Sequence, residues 1–96
     1  MLVIKNANVI FTDKIRNATV LCDNGKIVDI VERYSECEND TIIDANSNYL
    51  SPGFIDIHVH GGGNKSAMST NYCDIIDMAE AHLKHGTTSI VPTTLA

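Results

Sequence analysis

The sequence predicts an α/β chain in two regimes, hairpin-linked strands over residues 1–51 and a strand–helix–strand unit over residues 52–96. Three observations carry this reading: Asn24-Gly25 between two β-branched runs, strict alternation from Phe54 to His60, and helical spacing from Asn71 to His85 closed by Gly86. A strand, a helix and a second strand in that order require a parallel sheet, because a parallel pair needs a crossover.

Each element has a local cause. Leu2 to Ile10 is apolar at both ends around Lys5 and Asn6 and reads as a strand. Ala18 to Cys22 and Ile27 to Val31 form a hairpin through Asn24-Gly25, both of which tolerate the positive φ of a type I′ turn. Glu32 to Asp40 turns polar and reads as a loop; Thr41 to Ala45 is a short strand, and Asn46-Ser47-Asn48 a turn. Pro52-Gly53 separates the regimes, with the boundary after Ser51. Phe54 to His60 is the next strand. In the helix that follows, Ile75, Ile76, Ala79 and Leu83 form the apolar stripe. Asn71 caps its N-terminus, with Asp74 as a weaker form of the capping box, and Gly86 takes the left-handed position after its end. Thr88 to Thr93 is the closing strand, and Pro92 marks its end or a bulge.

Composition narrows the function classes. The net charge is −5, and no cluster of Lys or Arg interrupts the chain, which argues against nucleic acid or an anionic membrane as partner. Cys22, Cys37 and Cys73 are odd in number and lack a CxxC pair, so neither a disulfide framework nor a cysteine zinc site is expected, and a reducing cytoplasm is the expected compartment. No signal-peptide pattern and no apolar run near the ~18 residues of a membrane helix is present. At 96 residues the chain is too short for a complete (β/α)₈ barrel of about 250 residues.

The chemistry concentrates in Phe54-Ile55-Asp56-Ile57-His58-Val59-His60-Gly61-Gly62-Gly63. Period-2 alternation puts Ile55, Ile57 and Val59 on one face and Asp56, His58 and His60 on the other. An acid and two imidazoles on an inward face cost desolvation unless something pairs with them, and a divalent metal is the expected partner. The bland alternative is a pair of structural histidines bonded to backbone. Asp56 reads equally as an acceptor orienting an imidazole or as a structural acceptor. The glycine run is expected to be a flexible connection rather than a phosphate cradle, since no Walker A pattern fits around Lys65. A helix of ~14 residues at ~1.5 Å rise carries His85 roughly 20 Å from His60, so His82 and His85 are expected to be solvated or capping. Cys73 is expected to be a small apolar filler, and Thr93 and Thr94 approach the same strand mouth as His60, where a hydroxyl could touch a ligand, although simple β-propensity explains them equally well.

The stretch Tyr49-Leu50-Ser51-Pro52-Gly53-Phe54-Ile55-Asp56-Ile57-His58-Val59-His60-Gly61-Gly62-Gly63 resembles the opening signature of the amidohydrolase superfamily. With Gly86-Thr87-Thr88-Ser89-Ile90-Val91-Pro92-Thr93-Thr94 it is most similar to the N-acetylglucosamine-6-phosphate deacetylases, departing at Asn64, Ser66 and Ser69. The resemblance implies N-terminal β-sandwich strands over residues 1–51 and the first βαβ of a (β/α)₈ metal-dependent hydrolase barrel over 52–96. It implies His58 and His60 as metal ligands, zinc as the ion with iron, manganese or cobalt as alternatives, an amino-sugar phosphate substrate, and a homo-oligomer. A metal-ligating glutamate, two further histidines and a general-base aspartate have no matching positions, so weak or absent metal binding and no activity are expected of this chain alone. Two alternatives stand beside this: a self-associating structural module, and part of a related cyclic-amide hydrolase or deaminase.

Overall fold

The computed structural model describes residues 1–95, which form two compact units, Met1–Ser51 and the residues from Pro52 onward. The first unit is a sheet of β1 (Leu2–Ile10), β2 (Ile15–Asp23), β3 (Lys26–Val31), β4 (Thr41–Asp44) and β5 (Tyr49–Leu50), in the order β3-β2-β1-β4 with β5 also paired to β1. Hairpins make β1–β2 and β2–β3 antiparallel, whereas β4 and β5 lie parallel to β1. The β2–β3 turn uses Asn24 at φ 50° and Gly25 at φ 75°, the two positive values a type I′ turn requires. Asn6, at φ 55°, sits where the β1–β2 register shifts between Ile4 and Ala7. β2 starts earlier than its apolar run, because Ile15, Arg16 and Asn17 pair with Ile10, Val9 and Asn8 although all three are exposed.

The core of this unit is Ala7, Val9, Ala18 and Val20, with Ile4, Phe11, Cys22, Ile30, Ala45 and Leu50 packed around it. The polar loop between β3 and β4 is organised by one carboxylate. Asp40 Oδ2 accepts from the Tyr34 hydroxyl at 3.0 Å and from the Cys37 backbone N–H at 2.8 Å, and Oδ1 lies 3.5 Å from the Met1 ammonium. The Cys37 bond holds the Asp40 carboxyl below its ordinary range, and the bond to Asp40 pushes the Tyr34 phenol up to about 12. A lowered carboxylate contributes stability that is present above the unfolded value of about 3.9 and lost as pH falls through the folded one. The raised phenol contributes below its unfolded value of about 10 and loses that contribution as pH rises through the folded one. Thermal melts across pH 3 to 5 are therefore expected to show a falling midpoint for this unit, with a shallower fall in Asp40→Asn; equal slopes would remove Asp40 from the account.

The second unit comprises β6 (Phe54–Val59), β7 (Gly61–Gly62), β8 (Lys65–Ser66), α1 (Tyr72–Leu83) and β9 (Thr87–Pro92). β6 and β9 are parallel, with Phe54 opposite Thr87 and Val59 opposite Pro92, as the strand–helix–strand order requires. Asn71 caps α1 by accepting from the Cys73 N–H at 3.0 Å, and Gly86 takes φ 98° beyond its C-terminus.

Two expectations change here. Met78, fully buried, is the deepest residue of α1, while Leu83 from the anticipated stripe is 56% exposed. Ile76, Ala79 and Leu83 instead line an open apolar groove with Thr87, Thr88 and Ile90. Asp74 does not reach back to the Asn71 backbone; the Ser69 hydroxyl accepts from that N–H at 3.1 Å and donates to Asp74 at 2.7 Å. The bond from Ser69 and the neighbouring Lys65 ammonium together lower the Asp74 carboxyl. The apolar face of β6 is uncovered at Ile55 and Ile57, 71% and 76% exposed, and closed only at Val59. No helix among the described residues is long and apolar enough to cross a membrane.

Candidate metal centre

β6 delivers His58 directly and His60 one residue past the strand's end. Both side chains emerge on one face because they are two residues apart on extended backbone. Their Nε2 atoms lie 2.9 Å apart, and the rings meet edge to face with centroids 4.8 Å apart. His60 Nδ1 is 2.9 Å from the Thr93 carbonyl oxygen. A carbonyl only accepts, so Nδ1 carries the hydrogen and, in the neutral ring, Nε2 presents its lone pair toward His58. Fixing one imidazole nitrogen through the other is the usual way a histidine ligand is oriented.

The pair fits a divalent ion. With both Nε2 atoms at about 2.0–2.1 Å from one ion, their separation corresponds to an angle of about 90°, and widening it by roughly 0.4 Å reaches the tetrahedral angle. Two imidazoles are the whole local donor set: among the described residues no group of three or more His, Cys, Asp or Glu side chains gathers around a possible ion. The remaining coordination positions face open space, since both histidines are exposed. This exposure revises the expectation that burial makes a partner obligatory; convergence of the ring nitrogens, not desolvation, points to a metal.

The neighbours of the pair are placed as follows. The Asp56 carboxylate accepts from the His58 backbone N–H at 3.0 Å, so it serves the strand, where the β6–β9 register shifts between Asp56 and Val59, rather than a ring nitrogen. Thr93 contributes its carbonyl; its hydroxyl turns away and donates to Val91 O at 3.1 Å. That partner is a backbone atom, which no side-chain motif announces. The Thr93 N–H also donates to Val59 O at 2.7 Å, tying the segment after β9 to the residue between the histidines.

The glycine run is ordered, which overturns the expectation of a flexible connection. Gly61 and Gly62 pair with Ser66 and Lys65 as an antiparallel hairpin, β7–β8, turning through Gly63 at φ 57° and Asn64 at φ 62°. The Gly-Asn pair was the available signal for it. The hairpin lies along α1: Lys65 Nζ is 3.2 Å from Asp74 Oδ1 in the first turn, and His82 Nε2–H in the last turn donates to the Gly61 carbonyl at 2.9 Å. His82 is therefore neither solvated nor a cap. Its ring fills the space of a Gly62 side chain, since a Cβ there would stand 2.6 Å from Nε2. His85 and Cys73 are exposed; Cys73 thus does not act as an apolar filler.

No family model matches the sequence. It is 33% identical over 88 residues to a 5′-deoxyadenosine deaminase of Methanococcoides burtonii, covering 88% of this chain and 19% of that protein. It is 31% identical over 96 residues to a dihydroorotase of Staphylococcus aureus, covering 96% of this chain and 21% of that protein. Its fold superposes on the crystal structure of N-acetylglucosamine-6-phosphate deacetylase from Pasteurella multocida with a TM-score of 0.83 at 29% identity, over 95% of this chain and 24% of the other. The chain thus spans about a fifth of the length of the sequence relatives it matches. In sequence and in fold it matches the N-terminal domain of amidohydrolases.

Proposed function

We propose that this chain is the N-terminal portion of a metal-dependent amidohydrolase, in which β6 supplies two metal ligands, His58 and His60, at the start of a parallel barrel. The observation that carries the reading is the 2.9 Å approach of the two Nε2 atoms, with the His60 tautomer set by the Thr93 carbonyl. When bound, a divalent ion supplies Lewis acidity toward an amide carbonyl and activates the attacking water. The chain's own contribution is positional. His58 and His60 would hold two coordination sites, and the Thr93 carbonyl keeps the His60 hydrogen on Nδ1 and the lone pair on Nε2.

Among amidohydrolase reactions we favour hydrolysis of N-acetylglucosamine 6-phosphate to glucosamine 6-phosphate and acetate. The glycine run, the Gly86-Thr87-Thr88-Ser89 element and the 0.83 superposition support this choice. A second reading, another amidohydrolase of the cyclic-amide or deaminase kind, is favoured by the matches to a dihydroorotase and a deaminase. The reading frame after Ala96 tests the proposal. Continuation into strands bearing a glutamate and two further histidines supports it; a stop codon after Ala96 in an abundant, folded product overturns it in favour of a self-associating module.

Turnover gives the complementary test. A catalytic site needs about three protein ligands and an open position, and among the described residues no third ligand joins His58 and His60. Supplied with zinc, the 96-residue chain is expected to release no acetate from N-acetylglucosamine 6-phosphate. Measurable release abolished by His58→Ala would show that two ligands suffice. The exposed Ile55 and Ile57 further lead us to expect association, seen as a sedimentation coefficient that rises with concentration. A concentration-independent monomer would count against it.

A further inference from the structure

We propose that His82 is a positioning residue for the His58–His60 pair, acting through the backbone that leaves His60; the inference rests on the metal-centre reading above. His60 is followed by Gly61, the residue type with the greatest backbone freedom, at the point where a ligand must be held still. Two bonds remove that freedom. The His60 carbonyl accepts from the Ala67 N–H at 2.7 Å, and the Gly61 carbonyl accepts from His82 Nε2–H at 2.9 Å. The first is a bond within the glycine hairpin's own return. The second comes from α1 and joins that helix to the peptide next to His60.

The glycines are matched to this clamp. A Cβ on Gly62 would stand 2.6 Å from His82 Nε2, and a Cβ on Gly63 would stand 3.0 Å from the Ala81 Cβ. A Cβ on Gly61 would stand 2.5 Å from the Lys65 carbonyl oxygen. Side chains at Gly62 and Gly63 would push the hairpin off α1 and draw the Gly61 carbonyl away from the imidazole, whereas one at Gly61 would part the hairpin's own strands. Lys65 and Asp74 fasten the hairpin's other strand to the first helical turn at 3.2 Å, so it is held at both ends of α1. Removing the His82 bond frees the end that carries His60.

The test compares His82→Gln, whose amide N–H reaches about as far as imidazole Nε2, with His82→Asn, the same amide one methylene shorter, and with His82→Leu. Zinc is titrated into the 96-residue chain while the carbon-bound ring protons of His58 and His60 are followed by NMR. In metal-free samples, exchange of the His60 Nδ1–H and of the Ala67 amide is measured. The zinc midpoint is expected to rise about tenfold in His82→Asn and His82→Leu and to stay within about twofold in His82→Gln. The two exchange rates are expected to rise in the same pair and not in His82→Gln. Should His82→Leu fail to fold, the Gln and Asn variants decide, since both keep a polar side chain and neither falls clearly below the helix propensity of the histidine it replaces. Wild-type exchange rates in His82→Asn overturn the positioning role. A wild-type zinc response equal to that of the His58→Ala, His60→Ala double variant, with exchange still accelerated in His82→Asn, overturns the metal reading and leaves the clamp on the His60 backbone intact.

Discussion

Met78→Ala is expected to cost about 2–5 kcal/mol, the range for truncating a fully buried large aliphatic side chain. Met78 is wholly inaccessible and is the one buried residue of α1. The loss has two parts: transfer of the removed atoms back to water, and the cavity left between the helix and the strands it covers. A unit of this size has little stability to spare, because small domains bury a small share of their surface. Thermal or urea unfolding followed by helical circular dichroism isolates the effect, since α1 is the only α-helix among the described residues. Met78→Leu conserves volume and should cost less than about 1.5 kcal/mol. Leu83→Ala, at a position 56% exposed, should stay within about 0.5 kcal/mol. If Leu83→Ala proved the more damaging, the packing described for α1 would be wrong.

Gly53→Ala is expected to destabilise the same unit by about 1–3 kcal/mol through overpacking where β6 begins. A Cβ on Gly53 would run into the Thr88 side chain, including its own Cβ at 2.6 Å, and no side-chain rotation moves a Cβ, whose place the backbone fixes. The β6–β9 register already shifts between Phe54 and Ile55, so the backbone there is tuned to that close approach. The collision has a specific remedy. Thr88→Gly should restore much of the loss in a Gly53→Ala background, whereas Thr88→Ala, which removes Oγ1 and Cγ2 but keeps the Cβ, should restore only part of it. Double-mutant cycles read the coupling directly, and additive effects for Gly53→Ala with Thr88→Gly would remove the contact.

Much of this architecture was legible in the residues. Asn24-Gly25 specifies a turn because both residues accept positive φ, Asn71 and Gly86 bracket a helix, and alternation through β6 places His58 and His60 on one face. What escaped reading had physical causes. Counting apolar residues around α1 selects Ile76, Ala79 and Leu83 as readily as Met78; which edge is buried depends on the β7–β8 hairpin, whose strands of two residues each are too short to show a period. His82 stands far along the helix from the strand mouth, but the hairpin folds along α1 and brings Gly61 to it. The acceptor that sets the His60 tautomer is the Thr93 backbone carbonyl, and carbonyls are common to all residues.

The central claim is that His58 and His60 converge on one divalent ion, and calorimetric titration of zinc into the metal-free 96-residue chain tests it most directly. The account predicts weak binding of one ion per chain through two ligands, abolished in the His58→Ala, His60→Ala double variant and unchanged in His85→Ala. Equal zinc affinity in the wild type and the double variant would contradict it.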